Sequence, residues 1–190
     1  MEQEYIVKKI FKEIDFSKHA LAAEEYEECS FITCDFSHAD LSGRKFSDCK
    51  FIGCNLSLIK LADTALSTIV FKDCKMLGLR FDQCNKFSLS FSFENCTLSN
   101  SSFYKLKVKK TIFKDSKMME VDFTECDLSG SIFNDCDLTR ASFDNTNLER
   151  TDFRTSFNYS IDPEKNRIKK AKFSVTGISG LLDKYDIMIS

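Results

Sequence analysis

The sequence predicts an all-β fold: a right-handed quadrilateral parallel β-helix, a solenoid of square cross-section, with a short C-terminal helix. Three observations carry this. From Val121 to Phe153 the chain repeats in fives, a small or β-branched residue (Val121, Cys126, Ser131, Cys136) standing two places before a large apolar one (Phe123, Leu128, Phe133, Leu138). Neither the 3.6-residue period of a helix nor the 2-residue period of a strand generates a repeat of five, so the unit is a short segment and a turn. The same frame runs from Phe16 through Phe31, Phe51 and Phe71 to Phe81 without a slip. Phenylalanines also recur at intervals of twenty, as at Phe103, Phe123 and Phe143, so four units close one coil. With coils spaced like strands, about 4.8 Å apart, roughly seven coils give a rod on the order of 33 Å long. Right-handed winding is expected of parallel connections.

Residues 1–15 precede the clear repeat and carry scattered apolar anchors (Tyr5, Ile6, Ile10, Phe11 and Ile14), which suits a cap over the open end of a stack. Residues 16–173 form the coil. Its frame fails at Lys86 and resumes at Leu98 displaced by two residues, so 82–95 holds a bulge, insertion or bend. After Phe153 the pattern decays through Pro163 and a basic run, Lys165 to Lys172, read as a solvated loop. Phe173, twenty beyond Phe153, can still land on the stack. In residues 174–190, Ile178, Leu181, Leu182 and Tyr185 have the i, i+3, i+4, i+7 spacing of an amphipathic helix, and Ile187 and Ile189 alternate as in a strand. This tail can fold back as a cap or pair with a second copy, and pairing is the reading adopted.

Composition removes several function classes. With 190 residues and no run of about 18 apolar residues, the chain reads as one cytoplasmic domain with no membrane partner. A net charge of −2 argues against direct nucleic-acid binding. All nine cysteines fall at or near the small-residue slot, which also takes Ala, Ser, Thr and Val, so they read as core packing and not as disulfides or metal ligands. His19 and His38 lack partners at metal spacing. No phosphate-cradling loop, zinc motif or nucleophile elbow occurs, so the expectation is a protein without enzymatic activity, metal or cofactor.

The stretches CDFSHADLSG, CDLSGSIFNDCDLTRASF and TNLERTDF resemble the pentapeptide-repeat family over Phe16 to Phe153. A short rod ending in a helix and an apolar strand is similar to the Qnr and MfpA group of quinolone-resistance proteins. That resemblance implies a homodimer through the C-terminal tail, carried here by Ile178, Leu181, Leu182, Tyr185, Ile187 and Ile189. It also implies binding to type II topoisomerases, DNA gyrase and topoisomerase IV, as a mimic of duplex DNA through outward acids near the C-terminal end of the rod. Those acids are Asp122, Glu125, Asp127, Asp135, Asp137, Asp144, Glu149 and Asp152. They stand against two arginines, a net −6 between Val121 and Phe153. The region from Glu13 to Asp48 is also net −6, and a basic belt from Lys105 to Lys117 separates the two. Lys107 lies twenty before Asp127 and Lys117 twenty before Asp137, which predicts opposite charges on adjacent coils. Part of the acidity is therefore neutralised locally, and Asp before a centre also suits turn formation. The alternative is a rigid scaffold, or a toxin-immunity protein, with a different protein partner.

Overall fold

A five-residue unit has to turn at its corners, and after most centres the backbone does so two places on, in the left-handed region. Residues there have positive φ, from Glu13 at 56° to Arg150 at 61°, with glycine at only four such corners, Gly43, Gly53, Gly78 and Gly130. A side chain in this left-handed region is unfavourable, and the inter-coil hydrogen bond made at that corner offsets the cost. The N–H of Glu28 donates to the Ser47 carbonyl at 2.9 Å, and that of Lys110 to the Ser129 carbonyl at 3.1 Å.

The structure is a computed structural model and describes residues 5–188. The strands are β1 (Tyr5–Val7), β2 (Ile10–Lys12), β3 (Glu25–Glu27), β4 (Ser30–Ile32), β5 (Lys45–Ser47), β6 (Lys50–Ile52), β7 (Ala65–Ser67), β8 (Ile69–Lys72), β9 (Phe91–Glu94), β10 (Ile112–Lys114) and β11 (Ile132–Asn134). They form two parallel sheets, one ordered β1-β3-β5-β7 and the other β11-β10-β9-β8-β6-β4-β2. Partners lie twenty residues apart, Phe31 on Phe51 and Phe113 on Phe133. Isolated parallel bridges such as Asp122 to Ser142 continue the ladder on the other faces.

Four interior columns follow. The first face carries Phe11, Phe31, Phe51, Phe71, Phe93, Phe113, Phe133, Phe153 and Phe173, stacked ring on ring at 4.6–5.5 Å. Rings on neighbouring faces meet edge to face, as Phe123 meets Phe133 at 87°, an arrangement that adds to their burial. The second face holds Phe16, Phe36, Leu56 and Met76, the third Leu21, Leu41, Leu61 and Phe81, and the fourth Tyr26, Phe46 and Leu66; all are buried.

The small-residue slot does more than pack. Its side chain donates to the carbonyl of a centre on the coil below: Cys54 Sγ to Phe31, Thr146 Oγ1 to Phe123 at 2.8 Å, Thr151 Oγ1 to Leu128 at 3.0 Å and Asn166 Nδ2 to Phe143 at 2.8 Å. The nine cysteines are free and buried. No group of three or more metal-ligating side chains occurs among the described residues, and His19 and His38 are exposed.

The structure corrects three expectations. The described part of the N-terminal segment does not sit over the stack as a separate cap: β1 and β2 pair in register with β3 and β4, and Phe11 stacks on Phe31 at 4.8 Å, so the residues from Tyr5 onward belong to the coil. The tail forms two 3-10 turns, Ile178–Leu181 and Asp183–Tyr185, in place of one amphipathic helix. Gly177 and Gly180 weaken helical propensity there, and Asp186, at φ 49°, ends the second turn. Ile187 and Met188 belong to no strand, and Ile189 lies outside the described residues.

The frame shift has a definite place. Asn85 N–H bonds the Thr64 carbonyl and Ser90 N–H the Leu66 carbonyl, so the extra residues bulge out between them. Lys86, at the position of a centre, is exposed, Phe87 is 84% exposed, and Leu89 packs against the core instead. Phe173 does rejoin the stack on Phe153 at 5.5 Å.

Candidate partner-binding surfaces

Outward side chains come from the positions flanking each centre, so acids adjacent in sequence are sent to different faces. Of the eight acids, Asp122, Glu125 and Asp144 share the third face, where Glu125 N–H bonds the Asp144 carbonyl at 2.8 Å. Asp127 and Glu149 lie on the fourth face, Asp135 and Asp152 on the first, and Asp137 on the second.

Many are already engaged. Four act as turn formers, their carboxylates accepting the N–H two residues on: Asp122 from Thr124 (2.9 Å), Asp127 from Ser129 (3.1 Å), Asp137 from Thr139 (3.1 Å) and Asp152 from Arg154 (3.2 Å). Five pair with cations: Glu125 with Lys105 (3.4 Å), Asp127 with Lys109 (3.2 Å), Asp144 with Lys165 (4.0 Å), Glu149 with Arg167 (2.8 Å) and Asp152 with both Arg154 (2.8 Å) and Lys172 (3.5 Å). The basic run from Lys165 to Lys172 is therefore no free loop. It contributes a cation to the acids on three faces of the coil below. Lys107 and Lys117 do lie beside Asp127 and Asp137 on adjacent coils, although the ion pair of Asp127 is made by Lys109.

The carboxyl of Asp152 is held below its ordinary range chiefly by Arg154. For Asp127 and Asp137 partial burial pushes upward, but hydrogen bonds from Ser129, and from Thr139 and Asn158, outweigh it and the net shift is down. All three stay ionised at neutral pH. The third face is the one on which acids outnumber cations along the rod: Asp40, Asp63, Asp82, Asp122, Glu125 and Asp144 against Lys60, Arg80, Lys105 and Lys165.

The tail lies against the last coil. Gly180 accepts the Ile161 N–H at 2.8 Å, Lys184 bridges Asp162 (2.8 Å) and Glu164 (2.7 Å), and Tyr185 donates to Glu164 at 3.0 Å. Leu181 packs against the core, and Leu182 is half-buried. Ile178, Tyr185 and Ile187 are about half exposed, at 49%, 52% and 56%, and Val175 and Met188 are more exposed still.

The family model described as a pentapeptide repeat region matches residues 24–92 and 89–158. The chain belongs to the pentapeptide-repeat family. Among solved structures it is similar to a trypsin-treated form of QnrB1, described as a plasmid-mediated fluoroquinolone resistance protein. The TM-score is 0.64 at 19% identity, over 95% of this chain and 98% of that one. Full-length QnrB1 gives a TM-score of 0.54 at 19% identity, over 97% and 100% of the two chains. At that identity the likeness concerns the pentapeptide-repeat fold alone. No curated protein matches the chain. No helix among the described residues is long and apolar enough to cross a membrane.

Sequence reasoning missed the donor role of the small-residue slot and the neutralising role of the last coil. The first was signalled by the exchange of Cys with Ser, Thr and Asn, all of which carry a donor. The second was visible once residues are aligned at intervals of twenty, which sets Arg167 near Glu149 and Lys172 on Asp152.

Proposed function

We propose that this pentapeptide-repeat protein is a non-enzymatic binding protein of the cytoplasm that acts on a type II topoisomerase and modulates its response to quinolones. In this reading it presents the acidic third face in place of duplex DNA, and a homodimer formed through the tail extends that surface. The observation that carries the reading is the grouping of Asp122, Glu125 and Asp144 on the face where acids prevail. The QnrB1-like architecture supports it, and the exposed Val175, Ile178, Tyr185, Ile187 and Met188 support pairing of two tails. Five of the eight acids are ion-paired, which favours a second reading, a rigid scaffold that recognises another protein by shape.

The test is supercoiling by purified DNA gyrase with increasing amounts of the protein, with and without a quinolone. Protection or inhibition at about micromolar protein is expected, and Asp122→Lys with Glu125→Lys and Asp144→Lys should abolish it while circular dichroism stays unchanged. No effect at any ratio would leave the scaffold reading. An effect that survives the triple reversal would remove mimicry as its mechanism.

A further inference from the structure

The net charge of −2 averages over faces that differ sharply. On the C-terminal half of the fourth face, four successive coils each present three outward residues. The lowest rung is Lys107, Lys109 and Lys110, all exposed, and the highest is Arg167, Lys169 and Lys170, also exposed. Between them lie Asp127, Ser129 and Gly130 on one rung and Asn147, Glu149 and Arg150 on the next. The bridges Lys107 to Asp127, Asp127 to Asn147 and Asn147 to Arg167 fix this order. Lys86 extends the patch downward: it shares with Lys105, Leu106, Lys107 and Leu89 a depression of about 280 Å³ beside the bulge.

Two acids cannot neutralise this surface. Asp127 is taken by Lys109 and Glu149 by Arg167, and among the described residues Lys86, Lys107, Lys110, Arg150, Lys169 and Lys170 have no acid within ion-pair distance. We infer that this face binds the phosphate backbone of nucleic acid, with duplex DNA as the ligand and no sequence preference.

Two features favour a polyanion over a protein partner. None of the twelve outward positions is apolar, whereas protein interfaces bury an apolar or aromatic core. Between the basic rungs the two acids, Asp127 and Glu149, are each held by a cation of this face, and Ser129, Asn147 and Gly130 are of the polar and backbone kinds that contact phosphate oxygens without reading bases. The rungs lie three coils apart, about 14 Å at strand spacing, so they meet phosphates at two places along a duplex. The parallel sheets hold them at fixed separation, so little ordering of the backbone is needed on binding.

The proposal does not depend on the topoisomerase reading and is tested without that enzyme. A fluorescein-labelled duplex of about 25 base pairs is titrated with the full chain and followed by anisotropy. Binding is expected at about 50 mM salt, falling roughly a thousandfold by 200 mM, as about six phosphate contacts require. The variant Lys107→Glu/Lys109→Glu/Lys110→Glu should bind more than about tenfold more weakly and lose about two from the salt slope, since Lys109 is already paired with Asp127. Glu already stands at the corner slot at Glu120 and Glu125, with φ of 57° and 55°, so the change at Lys110 suits the fold. Lys50→Glu, an exposed cation on the first face near the other end of the rod, should not weaken binding. No binding at low salt, or binding that the triple variant leaves intact, would overturn the proposal. Equal affinity for a polyglutamate peptide of matched charge would overturn it in favour of an acidic protein partner.

Discussion

Thr146 shows what a single residue contributes to this fold. Its hydroxyl donates to the Phe123 carbonyl at 2.8 Å, and the residue is fully buried. Thr146→Val keeps the shape and removes the donor, leaving a buried carbonyl with one partner fewer. The expected loss is about 1–2 kcal/mol, read from urea denaturation, and Thr146→Ser should recover most of it. Cys34, Cys49, Cys54, Cys74 and Cys96 do the same work with a weaker donor, and burial, the largest cause, pushes the thiols of Cys49, Cys84 and Cys136 up to about 12 from an ordinary 9.0. A thiol whose pKa rises on folding contributes stability that is intact below about pH 9 and is lost as the pH climbs toward 12. The melting temperature should therefore fall through that window, and Cys49→Ser with Cys136→Ser should flatten the decline; an unchanged slope would rule the thiols out as its source. The sequence marked these slots as small. That they are donors was signalled only by the exchange of Cys with Ser, Thr and Asn, and the acceptor was not legible, because it is a backbone carbonyl on the coil below and every residue supplies one.

At the scale of an element, the tail depends on two glycines. A Cβ on Gly180 would lie 2.1 Å from the Tyr159 carbonyl oxygen, and one on Gly177 would lie 2.1 Å from the Tyr159 hydroxyl. Backbone cannot yield as a flexible side chain can, so Gly180→Ala should cost about 1–3 kcal/mol of docking energy and expose residues 174–188 to hydrogen exchange while the coils stay protected. Equal protection of the tail in both proteins would show that the close approach is relieved elsewhere. This close approach also explains why the helical spacing of Ile178, Leu181, Leu182 and Tyr185 misled. The apolar period was real, but Leu181 and buried Gly180 face the rod and Lys184 is drawn to Asp162 and Glu164, so contact with the last coil sets the conformation. The bulge at Phe87 was legible as a break in frame. Its position was not, because Phe87, Leu89 and Phe91 are all apolar and only the hydrogen bonds of Asn85 and Ser90 show which one left the core.

Across the whole molecule the periods of five and twenty made the architecture legible, since one residue class at a fixed interval has one way to bury itself. The partner surfaces were less so. A run of acids in sequence is divided among four faces, and charge summed along the chain cancels the acidic third face against the basic end of the fourth. Stability follows the same one-dimensional logic, because each coil touches only its neighbours. Phe133 is fully buried between Phe113 at 4.6 Å and Phe153 at 4.8 Å, with Phe123 edge-on at 5.8 Å. Phe133→Ala opens a gap in the column that neighbouring rings cannot close, since their own positions are fixed by strand register, and should cost about 3–5 kcal/mol. The loss should not be shared equally. Coils from Phe133 to Phe173 hold to the rest only through that interface, whereas coils from Phe11 to Phe113 retain theirs. Hydrogen exchange should therefore accelerate above residue 130 well before it does below residue 110. A uniform acceleration along the chain would mean that the rod unfolds as a single cooperative unit and that nearest-neighbour coupling does not describe it.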